Sequence, residues 1–340
     1  MVEQVLAEES VGVAMPRTAR SRAEIGRLAR AVIARYGLAV ILIAVVAAFS
    51  LARPHTFATL NNARTILDQA APALVLGAGL TVVLVMQDFD LSFGSMIGLA
   101  NGLVVVLIVT GHVGWPVAIA ITLLAGVAGG LVNGLLVAGI GGSSFVVTLA
   151  MGTAFTGLEY AVTGQKEIFQ GLPPAFLSTG QHASALGLNN QVWVALAVCL
   201  ALWGMLQRTE AGRYMHAIGG NAEAAALAGV PTRALRAAGF VIVALAAAVV
   251  GILLSALTAS YTPNIGPPYL LPGYAAVFLG AAAFRPGQFN LPGTVVGVLL
   301  LGVIQTGLTM LGLQTFVINL VQAAILVCAV VLSRLGARIA

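Results

Sequence analysis

The sequence predicts an all-α, polytopic membrane protein with about ten transmembrane helices. Composition is the first reason: 59% of the 340 residues are hydrophobic, against only 16 Lys+Arg and 11 Asp+Glu. A soluble domain carries roughly 25% charged residues. The second reason is pattern, because the apolar residues form long unbroken runs rich in Ala, Leu, Val and Gly and not the short alternating segments of a β-barrel. Length is the third. A bilayer core about 30 Å thick takes about 20 residues per helix, so ten spans use about 200 residues and leave a tail and loops but no large soluble domain.

Residues 1–30 read as a cytoplasmic tail and basic flank, disordered over 1–20. They are no signal peptide, since the basic stretch is long and no small-residue cleavage site interrupts the apolar run that follows. From Ser21 to Tyr36, Ile25, Leu28, Ala29 and Val32 recur at helical spacing against Arg22, Arg27 and Arg30. Two readings stand: a helix lying on the anionic inner membrane surface, or a solvated flank that only sets topology. The transmembrane domain occupies 31–336, with spans near 32–52, 67–86, 94–111, 115–138, 144–162, 191–207, 237–259, 270–284, 292–312 and 315–333. The eighth is short and flanked by proline. Gly94, Gly98 and Gly102, then Gly126, Gly130 and Gly134, then Gly293 and Gly297 stand four residues apart inside spans, the spacing that brings helix backbones together in lipid.

Arginine and lysine orient the spans. Thirteen of the 16 basic residues fall on one side: six from Arg17 to Arg35, then Arg208, Arg213, Arg233, Arg236, Arg285, Arg334 and Arg338. The other side has Arg53, Arg64 and Lys166. The positive-inside rule puts both termini and the 208–236 loop in the cytoplasm. The basic balance therefore speaks for membrane orientation and lipid contact, not for nucleic acid.

Much chemistry is excluded by the same counts. Cys199 and Cys328 lie inside apolar runs, where a small buried hydrophobe is the default. The four histidines are scattered, and no metal-ligand spacing occurs. Lys166 is the only lysine and follows Gln165, so a phosphate-cradling Gly-x-x-x-x-Gly-Lys loop is absent. The acidic residues Asp68, Asp88, Asp90 and Glu159 fall near span ends, which disfavours ion-coupled transport. Neutral hydrogen-bonding groups remain inside: Gln69, Asn101, Asn133, Thr148, Thr153, Thr156, Ser255, Gln305, Thr306 and Gln322. They fit a passage for a neutral polyhydroxy solute and equally fit helix-to-helix hydrogen bonding.

Two stretches stand out. In Asp88-Phe-Asp-Leu-Ser-Phe-Gly-Ser95, Asp90 or Ser92 can cap the next helix, and a ligand role for Asp90 is the alternative. In Thr209 to Pro231, Asn221 is a good N-cap, Glu223 sits in the first turn, 222–228 is Ala-rich, and Gly229 with Pro231 stops the helix. So short a helix needs a surface to pack on, either its own bundle or a partner protein.

At these residues the chain resembles the permease subunits of bacterial ABC importers for ribose, xylose, arabinose, galactose and related solutes, over roughly residues 60–335. Asp88 to Ser95 is similar to that family's Gly-Ile-Asp-Leu-Ser-Val-Gly-Ser. Asn133-Gly-Leu-Leu-Val137 with Phe145-Val-Val-Thr-Leu-Ala150, the Thr209 to Val230 loop with its Ala-Ile-Gly-Gly-Asn, and Ala275-Ala-Val-Phe-Leu-Gly280 leading to Gly293-Thr294 follow in order. The chain departs from the family at Gln87-Asp88 and at Leu270-Leu-Pro-Gly273, which leaves another sugar, a polyol or a less typical solute open.

The resemblance implies an inner-membrane permease, homodimeric, working with a separate cytoplasmic ATPase and a periplasmic solute-binding protein. No cofactor is expected in this chain; ATP and Mg belong to the ATPase. Expected along the solute path are Asp90, Ser95, Asn101, Asn133, Thr148, Asn264 and Gln305, with Phe145 and Phe278 as apolar surface. Expected at the ATPase contact are Gly212, Arg213, Gly219, Gly220, Asn221, Glu223 and Gly229. A stand-alone facilitator or secondary carrier is the competing reading. An intramembrane enzyme lacks a nucleophile-and-base constellation.

Overall fold

The computed structural model describes residues 36–281, 283–284 and 287–337. The expected tail and flank, Arg285 and Arg338 lie outside these residues. The helices are α1 (Tyr36–Ala52), α2 (Leu60–Val85), α3 (Phe93–Val109), α4 (Trp115–Gly134), α5 (Ser144–Thr163), α6 (Pro174–Gln181), α7 (Asn190–Arg208), α8 (Glu210–Gly220), α9 (Ala222–Leu227), α10 (Thr232–Thr258), α11 (Leu270–Gly280), α12 (Leu291–Met310) and α13 (Thr315–Ala337). One π-helical turn, Leu135–Gly139, prolongs α4.

Six of these, α2, α4 with its extension, α5, α7, α10 and α12, are long and apolar enough to cross a membrane. Shorter apolar helices are α1, α3 and the Thr315–Ile325 part of α13. The eighth expected span, 270–284, is an 11-residue helix, about 17 Å long at 1.5 Å per residue and well short of a bilayer core. Conversely, α2 begins at Leu60 and not near 67. Thr59 accepts a hydrogen bond from the Asn62 amide at 3.1 Å, and this cap starts the helix a full two turns before its apolar stretch.

Buried α2 and α10 form the axis of the bundle, while α5 and α7 expose most of their length. Lipid gives no hydrophobic gain for pairing apolar helices, so close backbone approach has to hold them. The Gly126, Gly130 and Gly134 stripe of α4 does this against α10: a Cβ at Gly126 would stand 2.8 Å from the Ala248 Cβ, at Gly130 2.8 Å from the Phe240 carbonyl oxygen, and at Gly134 2.7 Å from the Ala237 Cα. Gly297 lies in the same way on the Ala276 carbonyl of α11. A buried hydroxyl pair, Thr81 with Thr294 at 2.8 Å, ties α2 to α12.

The 209–230 stretch holds two helices where the Ala-rich run alone predicts one. Thr209 caps α8 by accepting from the Gly212 amide at 3.2 Å, and Met215 and Ile218 on one face are buried. Burial of that face against the bundle supplies what so short a helix lacks in water.

Candidate functional site

Seven residues join α2 to α3, from Met86 to Ser92, and side chains of four other helices reach them. Arg236, in the second turn of α10, donates from Nε and Nη2 to the two Asp88 carboxylate oxygens, each at 2.7 Å. The Asp88 side chain is 5% exposed and that of Arg236 28%. The Tyr274 hydroxyl of α11 accepts from the Asp90 amide at 3.0 Å and donates to the Asp90 carbonyl at 2.7 Å. From α5, Ser144 Oγ accepts from the Phe89 amide at 3.2 Å and Thr148 Oγ1 from the Leu91 amide at 2.9 Å. Asn133 of α4 donates to Ser92 Oγ at 2.8 Å.

Asp90 is fully buried in this connection. Its Oδ1 accepts from the Ser92 amide at 2.8 Å and the Ser92 hydroxyl at 2.6 Å, so Asp90, not Ser92, caps the opening of α3. Burial pushes its carboxyl up to about 6, against hydrogen bonds from Ser92, Phe93 and Asn133 that pull it down. Asp90, Asn133 and Thr148, three of the expected path residues, thus share one buried network.

The other four are spread through the bundle. Ser95 Oγ accepts from Thr156 Oγ1 of α5 at 3.0 Å. Asn101 is fully buried and donates to the Gly251 carbonyl at 3.3 Å, the helix-to-helix alternative for such a group. Asn264, exposed in the α10–α11 connection, accepts from the Tyr160 hydroxyl at 2.7 Å. Gln305 of α12 accepts from Gln322 of α13 at 2.8 Å and lines a cavity of about 460 Å³ with Asp68, Gln69 and Tyr269. Phe145 is half exposed on α5, and Phe278 packs between Tyr274 and Phe289 at 6.2 and 5.3 Å.

Sequence reasoning missed Arg236 and Tyr274 as anchors of the connection. A signal for the first existed: an acidic and a basic residue at two ends assigned to the same membrane face. For Tyr274 there was only a hydroxyl inside an apolar run.

At the same end of the molecule α8 packs across the end of α2, and α9 packs on α8 and α10. A Cβ at Gly219 would fall on the Val85 carbonyl oxygen, and one at Gly212 on the Leu206 carbonyl. Both glycines therefore face the chain's own bundle. Gly220 has open space around it. Asn221 Oδ1 caps α9 by accepting from the Ala224 amide at 2.9 Å, and Gly229, at φ +84°, closes it in the left-handed region where glycine carries no penalty. Exposed outward are Glu223, Arg213 beside Glu210 at 3.8 Å, Tyr214, and Leu227 at 87% exposure. Tyr214 and Leu227 were not singled out from the sequence, where neither has a distinguishing neighbour.

Residues 62–330 match the family described as branched-chain amino acid transport system / permease component. The chain is 33% identical over 292 residues to the ribose import permease protein RbsC of Escherichia coli strain K12, covering 85% of this chain and 89% of that protein. It is 28% identical over 301 residues to the D-allose transport system permease protein AlsC of that strain, covering 88% and 92%. To the autoinducer 2 import system permease protein LsrD of Escherichia coli strain SMS-3-5 it is 33% identical over 262 residues, covering 76% and 79%. No solved structure matches the chain. A polytopic all-α bundle, a pair of short helices packed on the end of a span, and similarity over most of the length to import permeases agree: the chain belongs to the permease-component family of transport systems.

Proposed function

We propose that this chain is the permease subunit of an ATP-driven importer for a monosaccharide or related small polyhydroxy solute. The observation that carries the reading is similarity along most of the chain to permeases named for ribose, D-allose and autoinducer 2 import. The chain lacks a phosphate-binding lysine loop, so the ATPase is a separate cytoplasmic protein that carries ATP and Mg. The solute arrives on a periplasmic binding protein. Residues 31–336 form the membrane domain, with ten crossings, the eighth made by the short α11 together with the connections that flank it, and both termini on the cytoplasmic side of the inner membrane. A second copy of the chain completes the path.

In this reading α8 and α9 are the coupling element. Glu223, Arg213 and Leu227 face the ATPase, while Gly212 seats the element on the end of α7 and Gly219 on the end of α2, and Gly220, Asn221 and Gly229 shape its turns. Movement of that element reaches the Met86–Ser92 connection, which continues α2, and through it α4, α5 and α11. Gentle purification of the tagged chain from its host membrane, with mass spectrometry of stoichiometric companions, tests the assembly. A companion with nucleotide-binding motifs is expected. An active chain purified alone, with uptake persisting after ATP depletion, overturns the reading in favour of a facilitator.

A further inference from the structure

A cavity of about 610 Å³ lies where the start of α2 meets the end of α12 and the α1–α2 connection. This is the end of α2 opposite the one that carries α8 and α9. Its polar lining includes Asn62, Thr65, Gln69, Gln305, Thr306 and Thr309. Among the described residues no Asp, Glu, Lys or Arg lines it, and His55 is the one ionisable side chain there. Two of the lining groups are nearly closed off from solvent, Asn62 at 5% and Thr306 at 8% exposure. Asn62 Oδ1 and Thr306 Oγ1 are also buried without a hydrogen-bond partner. Most buried polar atoms are paired, and because these two oxygens are closed off, a turn of each side chain is what would bring it to a solute in the cavity.

Gln69 and Gln305 also line the 460 Å³ cavity, which lies further along the same helices beside Pro72, Ala73 and Leu301. The two cavities therefore adjoin and lead from the end of α2 toward the middle of the bundle. A lining of side-chain amides and hydroxyls matches solute hydroxyls, each of which both donates and accepts. A zwitterionic amino acid matches less well, because its two desolvated charges would find no carboxylate, guanidinium or ammonium partner among the described residues of this lining, and Asp68 of the adjoining cavity could answer only its ammonium.

We propose that this cavity is a solute site, holding a neutral polyhydroxy molecule by hydrogen bonds where it enters the chain and passing it along Gln69 and Gln305. The proposal rests on the importer reading given above and adds to it where the solute sits and what chemistry selects it.

The test has two readouts. Cells carrying the chain with its native ATPase and binding protein are assayed for uptake of D-ribose, D-allose and L-leucine. In parallel, the full chain with Cys199→Ala and Cys328→Ala and the single change Thr309→Cys is placed in lipid nanodiscs. Its modification by a charged methanethiosulfonate is timed with and without each compound, and Thr65→Cys serves as a second reporter. Uptake of at least one of the sugars is expected, together with slowing of modification by that sugar and not by L-leucine. Thr306→Val, which keeps the shape and deletes the orphan hydroxyl, is expected to cut uptake at low solute about fivefold, the worth of one hydrogen bond. Sugar uptake with unslowed modification and an unaffected Thr306→Val variant overturns the site and leaves the importer reading standing. Failure of either reporter to react at all shows a closed cavity and likewise overturns the site. Uptake of L-leucine and of neither sugar overturns both.

Discussion

Asp88 and Arg236 meet through two parallel hydrogen bonds of 2.7 Å across 148 residues of sequence, joining the α2–α3 connection to the start of α10. The pair sits at the junction of two elements: Gly219 of α8 rests on the Val85 carbonyl, three residues before Asp88, and the 208–236 loop ends at Arg236. A two-pronged guanidinium-carboxylate contact fixes orientation as well as distance.

Removing the arginine leaves a nearly buried carboxylate without its counter-charge. Arg236→Met is expected to cost about 3 kcal/mol, read as a lowered unfolding midpoint of the purified chain in nanodiscs. Adding Asp88→Asn to that variant should recover part of the loss. Equal midpoints for Arg236→Met and the wild type would show that the contact contributes nothing.

Tyr274→Phe deletes one oxygen that serves both the amide and the carbonyl of Asp90. With both backbone groups buried, a loss of about 2 kcal/mol is expected. Hydrogen exchange of the 88–92 amides should rise in this variant before exchange in α10 does; uniform exchange across the bundle argues against a local role.

Two adjacent glycines separate seating from surface. Gly219→Leu forces a side chain into the Val85 carbonyl, whereas Gly220→Leu points into open space. Uptake should be abolished by the first with the chain still in the membrane, as judged by immunoblot of membrane fractions, and the second is expected to change little. Glu223→Arg, on the exposed face of α9, should uncouple ATP hydrolysis from uptake without lowering the unfolding midpoint. Normal uptake in both Gly219→Leu and Glu223→Arg would remove the coupling assignment.

The Asp90 carboxyl, raised by burial from 3.8 to about 6, gives stability a pH slope of known sign. Between those values the folded chain binds a proton that the unfolded chain has released, so stability falls as pH rises through the window, and the penalty is complete above about 6. The wild type is expected to unfold at lower temperature at pH 7 than at pH 5, and Asp90→Asn should narrow that gap. A gap of unchanged size would place the proton elsewhere.

Much of this arrangement was legible in the sequence. The glycine stripe of α4 was visible as a four-residue repeat, because close approach in lipid depends on a small residue at every turn of one face. The caps at Asn221 and Asp90 were legible as well, since capping acts over three or fewer residues. The start of α2 was missed because its first two turns are polar and carry no apolar run. Helix α8 was missed because its stability comes from Met215 and Ile218 burying against the bundle, and not from local propensity.

By itself the sequence determined the all-α membrane character and the positions of most helices. It also marked the short capped element between α7 and α10. Those features follow from hydropathy, small-residue spacing and capping, which operate within a few turns of one chain segment. Only the tertiary structure decided that Asp88 pairs with Arg236, that Asp90, Asn133 and Thr148 form one network while Gln305 belongs to another region, and that Asn62 and Thr306 face a shared cavity. A hydrogen-bonding side chain in a span looks the same in sequence whether it faces a neighbouring helix or a water-filled space. Which one it meets depends on the rotation and crossing of helices that are far apart along the chain.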